Sequence, residues 1–232
     1  MYPLPLRPAR GVAFLAVGGL VLDSVVGLGA IVIDLQRAAF IDQVVADPMS
    51  ATLEEAEASD ALYALSGMVE IGVYVLTAVA FLIWMFRVRA NAEIIAPDEQ
   101  RHARPWAIFA WFVPIISLWF PKQIVDDIWS ASHGNPNDPW PRSRLVTLWW
   151  TLWLIGNWVT WAAARLLFNA QELESMASAA RFDAVSCVLM LMAAVPAALV
   201  VLRISNAQEA RRAAPLSPVP PSPAPPYGSP AA

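Results

Sequence analysis

The sequence predicts an all-α membrane protein: a bundle of four transmembrane helices, a Pro-broken segment that is re-entrant, interfacial or a short span, and an amphipathic interface helix. Three observations carry this. Of the 232 residues, 58% are hydrophobic and 15% charged, against about 45–50% apolar and about 25% charged in soluble domains. Four apolar runs are long enough to cross a bilayer, which takes roughly 20 residues for about 30 Å of hydrocarbon. The few charges are sorted along the chain as alternating membrane sides would require. This composition excludes a disordered chain, a disulfide scaffold and an ordinary cytosolic enzyme. The net charge is −4 and Lys occurs once, so no nucleic-acid partner is expected.

Residues 1–10 form a short segment expected in the cytoplasm, followed by a polytopic membrane domain over 11–212. The first span, 11–33, is interrupted only by Asp23. Arg7 and Arg10 precede it as in a signal peptide. The apolar run is longer than the roughly 7–15 residues of a secretory signal and lacks a small-residue cleavage site. It reads as an uncleaved anchor in which Gly18, Gly19, Gly27 and Gly29 allow close helix approach. The loop 34–60 is acidic. In it Thr52 and Glu55 have the spacing of a capping box opening the helix of the second span, 61–86, which contains Glu70. Glu54, Glu55, Glu57 and Asp60 lack the alternating spacing of a calcium loop, and no metal site is expected.

The stretch 105–120 is apolar but carries Pro114 at its middle and is followed by Pro121. A straight helix of that length would reach only about 24 Å, and Pro114 removes a backbone donor. A short span and a re-entrant or interfacial segment both remain open. Beyond it, Ile124, Val125, Ile128 and Trp129 share one face of a short helix, with Asp126 and Asp127 facing away, as in an interface helix with its Trp at headgroup depth. A turn-rich connector at 133–141 leads to the third full span, 145–168, with Asn157 inside and Arg165 near its end. The last span is 183–204, with Pro196 as a kink site. From 213 to 232 the chain becomes Pro-, Ser- and Ala-rich, a composition expected to stay disordered.

Charge sorting favours four spans with both termini inside. The inner segments then hold Arg7, Arg10, Arg87, Arg89, Arg101, Arg104, Lys122, Arg142, Arg144, Arg203, Arg211 and Arg212, 12 of the 15 basic residues. Were 105–120 to cross, the last six of these would change sides, against the positive-inside bias.

One series of residues has a recognisable order. Trp84, Arg87, Asn91 and Ala92 are followed by Trp106, then Trp111, Phe112 and Pro114, then Pro121, Trp129 and Trp150. Over about 76–161 this series resembles the bacterial membrane family catalogued as domain of unknown function 4328, common in actinobacteria. The resemblance implies a multi-pass membrane protein and no activity. Asp23 and Glu70 lie outside the stretch that carries it.

Ionisable residues within spans are candidates for function by default. At about 1.5 Å per residue from the inner ends, Asp23 and Asn157 lie near 18 Å, Glu70 near 24 Å and Arg165 near 30 Å. Asp23 is expected to meet Asn157, and Glu70 to pair with Arg165. A polar pathway competes with simple helix–helix contacts, and the latter weigh more. Trp149, Trp150, Trp153 and Trp161 fall within one helical arc together with Asn157, which predicts a stripe facing the bundle. Cys187 is expected to serve as small apolar packing. His102, between Arg101 and Arg104, reads as part of a basic loop that can meet anionic lipid. There is no His-Glu-x-x-His, no Gly-x-Ser-x-Gly and no P-loop, so neither enzymatic activity nor a cofactor is expected. The expectation is an interaction or scaffold module of the bacterial cytoplasmic membrane, with lipid and unknown proteins as partners. The alternative is a small transporter or channel component using Asp23, Glu70 and Arg165.

Overall fold

A computed structural model describes residues 6–134, 138, 141–169 and 172–214. Nearly all of the Pro-rich tail, and most of the connector before Pro141, lie outside the described residues. Four long helices dominate: α1 (Arg10–Ala46), α2 (Leu53–Ile95), α5 (Arg144–Phe168) and α6 (Leu173–Ala213), with the short α3 (Trp106–Phe109) and α4 (Phe120–His133) between the second and third. Local chemistry sets several ends. The capping box that starts α2 is present: the Glu55 N–H donates to Thr52 Oγ1 at 3.2 Å, and the Thr52 N–H donates to the Glu55 carboxylate at 2.8 Å. These Thr52 hydrogen bonds, backbone then side chain, hold the Glu55 carboxyl below its usual range. Ser143 starts α5 by accepting from the Val146 N–H at 3.3 Å. Pro196 lies inside α6 without ending it, as packed apolar helices tolerate.

The helices run alternately up and down in the lateral order α2, α1, α6, α5: α1 packs on α2 and α6, and α5 packs on α6. The bundle therefore has two unlike ends. One gathers Arg10, the end of α2, all of α4, the start of α5 and the end of α6, and carries the 12 basic residues named above. The other carries the α1–α2 turn and the start of α6. There Arg37 pairs with Asp60 at 2.5 Å and Arg181 pairs with Asp42.

The packing is inverted relative to a water-soluble bundle. Phe14, Val21, Val25, Leu28 and Val32 point outward along α1, as do Met68, Ile71, Val75 and Val79 along α2, while Arg89, Asn91 and Gln208 are buried. The helices α1, α2 and α6 are long and apolar enough to cross a membrane. At about 1.5 Å per residue they measure about 55, 65 and 60 Å, and α5 about 38 Å. All exceed the roughly 30 Å of a hydrocarbon core. The helix α5 is long enough as well, but its Trp, Thr and Asn residues lower its hydropathy. The first, second and fourth of these helices extend well past the boundaries 11–33, 61–86 and 183–204 expected from apolar content. Helix-forming residues continue beyond the apolar run, so hydropathy marks where a helix is greasy and not where it ends.

The stretch 105–120 holds no continuous helix. It contains the four-residue α3 and a single 3₁₀ turn, Ile116–Leu118, and the chain enters and leaves it at the basic end. The apolar face predicted for α4 is buried, Ile124, Val125, Ile128 and Trp129 together. Asp127 does not face away as expected: it is 5% exposed and paired with Arg101. The loop folding back over α4 supplies a cation that periodicity within α4 cannot reveal.

Of the glycines expected to bring helices together, Gly19 does so: a Cβ there would lie 3.2 Å from Thr77 Cα, and Thr77 Oγ1 donates to the Gly19 carbonyl at 3.0 Å. At Gly156 an added Cβ meets the flexible end of Met190 at 3.0 Å and makes ordinary contact with Leu189 Cβ at 3.5 Å. Gly19→Ala is therefore expected to destabilise by about 1–3 kcal/mol through overpacking against backbone. Gly156→Ala should be neutral or stabilising by up to about 1 kcal/mol through helix propensity. Thermal unfolding of the two variants in detergent checks this; equal shifts would contradict the close approach of α1 and α2.

Candidate functional site

Two polar regions interrupt the apolar bundle. The first is a layer at the basic end, built largely from the Trp/Arg/Asn series noted in the sequence. Trp84 Nε1 donates to Ser205 Oγ at 2.9 Å. The Asn91 amide accepts from the Arg7 N–H and donates to the Arg7 carbonyl and to Gln208 Oε1, each at 2.9 Å. Gln208 Nε2 donates to the Val88 carbonyl at 3.0 Å and to Ser132 Oγ at 3.1 Å. Arg87 donates to the Pro8 carbonyl at 2.9 Å. Arg89 donates to Gln100 and to the His102 carbonyl, Arg104 Nε to Glu93 at 2.9 Å, and Arg101 Nε to Asp127 at 2.7 Å. The basic loop expected to face anionic lipid thus spends much of its charge on the chain itself.

Aromatic rings wedge the stretch 105–120 against this layer. Trp111 meets Phe81, Trp150 and Trp153 edge-on at 5.9, 5.9 and 5.4 Å, and Trp106 meets Phe120 at 5.5 Å. Trp150 Nε1 donates to the Leu118 carbonyl at 3.2 Å. Pro114 accepts from Ser117 Oγ at 2.7 Å, Pro121 opens α4, and Trp129 stacks on His133 at 4.1 Å. The series therefore defines a folded cap. Ser205, Gln208 and Glu209 complete it and were not singled out in the sequence; their signal is polar residues three and four apart at the end of a greasy helix.

The second region is a cavity of about 440 Å³ between α1, α2, α5 and α6, towards the acidic end. Asp23, Glu70 and Asp183 line it, with Tyr63, Tyr74 and Cys187. Glu70 accepts from Ser66 Oγ at 3.1 Å and lies 3.6 Å from Cys187 Sγ. Asp183 accepts from Ser186 Oγ at 3.3 Å. The two pairings expected inside the bundle are not formed. Asn157 donates to the Trp153 carbonyl of its own helix at 2.8 Å, and Arg165 sits over the ring of Trp161 at 5.3 Å. Trp161 and Trp158 are 65% and 61% exposed, so the aromatic stripe faces the bundle only along its first turns. Equal depth does not bring residues together, because α5 packs on α6 and neither α1, which carries Asp23, nor α2, which carries Glu70, packs closely against it. Asp183, the first residue of the span 183–204, was not singled out in the sequence.

At the basic end, burial raises the Glu209 carboxyl, but the Ala9 N–H at 2.7 Å, the Arg212 side chain and the Arg10 N–H outweigh it, and the net shift is downward. Glu209 thereby caps the start of α1. A lowered folded-state value means that its stabilisation is complete above the ordinary carboxyl range and is lost as pH falls through the lowered value. Glu209→Gln should lower the unfolding temperature at pH 7, and the difference from the unaltered chain should shrink below about pH 4. Unfolding curves at pH 7 and at low pH measure it; a constant difference would contradict the cap.

The family model described as Domain of unknown function (DUF4328) matches residues 47–206, well over half of the chain. Glu70, Asn157, Arg165, Asp183 and the whole Trp/Arg/Asn series lie inside the match, while Asp23, Gln208 and Glu209 lie outside it. No curated protein and no solved structure matches the chain. The chain belongs to the DUF4328 family.

Proposed function

We propose that this chain is a non-enzymatic interaction or scaffold module of the bacterial cytoplasmic membrane, crossing it four times, with the basic end in the cytoplasm. One observation carries the reading: the motif side chains at the basic end spend their hydrogen bonds on the chain itself. Trp84, Arg87 and Asn91 bind Ser205, Pro8, Arg7 and Gln208. Groups so committed build a rigid platform, which supports a structural and binding role for this end. Exposed Arg10, Arg142, Arg144 and Arg203 rim it, in reach of anionic lipid headgroups or an acidic protein surface. The four-span topology draws on the length of α5 and on the return of 105–120 to the end from which it started.

The cavity favours a second reading, a small transporter or channel component. Asp23 and Glu70 do line one space there. Arg165 points elsewhere and drops out of that pathway.

Topology is tested with single cysteines at Arg142 and Asn169, both exposed, in a Cys187→Ala background. A membrane-impermeant reagent added outside cells should label Asn169→Cys and spare Arg142→Cys; the reverse labelling would overturn the orientation. The platform is tested by mild crosslinking in membranes followed by purification. Specific products should form with the unaltered chain and drop at least about fivefold in Arg142→Glu/Arg144→Glu, since reversing rim charge suppresses encounter. Products unaffected by the reversal would count against the platform.

A further inference from the structure

The gap between α2 and α5 holds two cavities in series. The one described above, of about 440 Å³, is followed towards the basic end by another of about 450 Å³, and Tyr74 lines both. The second is aromatic, with Trp111, Trp149, Trp153 and Trp158 in its wall. The first is acidic, and neither is lined by Lys or Arg among the described residues. The α1 stripe Asp23, Gly27, Ala30 continues at helical spacing to Asp34. Asp34 is 1% exposed, and its Oδ2 has no hydrogen-bond partner among the described residues. The nearby cations are committed elsewhere: Arg37 to Asp60, Ser59 and the Tyr63 ring, and Arg181 to Asp42. Asp34 is not in the lining, but the carboxyl groups of Asp23, Glu70 and Asp183, from three helices, share one cavity whose lining among the described residues contains no Lys or Arg.

We propose that this cleft binds an amphiphilic organic cation, its ammonium group among Asp23, Glu70 and Asp183 and its apolar body beyond Tyr74 against the Trp-lined wall. Charge complementarity selects a cation, and the tryptophan faces add attraction for its head and burial for its body. A metal ion fits poorly, because the described residues hold no group of three or more His, Cys, Asp or Glu side chains arranged to ligate one. An ammonium head needs opposite charge and volume, not short coordinating distances. The carboxyl end of the site lies towards the acidic end of the bundle, away from the rim arginines of the platform, while its Trp-lined end borders the aromatic cap.

The test uses the full chain in phosphatidylcholine nanodiscs, titrated calorimetrically with dodecyltrimethylammonium, with 1-dodecanol as the uncharged probe and empty nanodiscs as the partition blank. Saturable binding of the cation above the blank is expected, and none of the alcohol. Glu70→Gln/Asp183→Asn should weaken it at least about tenfold, the scale of removing buried charge partners. Gly67 lines the acidic cavity, and a Cβ there meets nothing within 4 Å. Gly67→Phe therefore fills the space without changing charge, and should weaken binding comparably. Arg165→Ala, outside both cavities, should leave it unchanged. The proposal is overturned if the cation merely partitions as in the blank, if the alcohol binds as well, or if either cavity variant folds and binds normally. Should one variant fail to fold, the other decides. Platform crosslinking, read at the other end, is expected to stay intact in both.

Discussion

The side-chain amide of Asn91 is the hub on which the basic end depends. It ties α2 to the segment before α1 through Arg7 and to α6 through Gln208, and Gln208 passes the connection to α4 through Ser132. Each hydrogen bond contributes only about 0.5–1.5 kcal/mol net, but a buried donor or acceptor left alone costs about 1–3 kcal/mol. The chain of amides is therefore cooperative by necessity. It holds together or it opens a hole in the layer. In a bundle whose outer surface is apolar, hydrophobic burial between helices contributes less than in water, and such directional contacts and close packing set the arrangement.

The two ends use charge differently. At the basic end Arg89, Arg101 and Arg104 fold the loop after α2 onto α2 and α4, so cations serve as struts. At the acidic end Arg37 and Arg181 each bridge one helix to another. Between these ends the carboxyl groups find hydroxyls and a thiol in place of cations. Glu70 rests on Ser66 and Cys187, and Asp183 on Ser186. Cys187 is therefore more than the apolar filler its position suggested.

What the sequence made legible followed from quantities that accumulate along one helix. The all-helical class, the capping box at Thr52 and Glu55, the apolar face of α4 and the sorting of basic residues all depend on neighbours within a few turns. Contacts between helices were not legible. Asp23 with Asn157 and Glu70 with Arg165 were matched by depth alone, and depth fixes height in the bundle but not azimuth or helix order. Asp34 was missed because α1 outruns its apolar run, which carries into the bundle a residue that hydropathy assigns to water. The Trp/Arg/Asn series marked a site whose partners at Ser205 and Gln208 lie over a hundred residues away.

The cleft persists for a reason that can be read in its lining. The helix order α2, α1, α6, α5 is an open arc, and at the basic half the aromatic stretch 105–120 closes it. In the acidic half the wall consists of carboxyls, tyrosines and small residues, Gly27, Gly67, Ala163 and Ala164 among them. Small residues in membrane helices commonly bring backbones into contact, and Gly19 does so against Thr77. Gly27 and Gly67 do not: a Cβ on either would meet nothing within 4 Å. Large apolar side chains at those positions would fill the space and cover the carboxyls. The opening is therefore maintained by the residues placed around it, in the part of the bundle where leaving polar groups uncovered costs most.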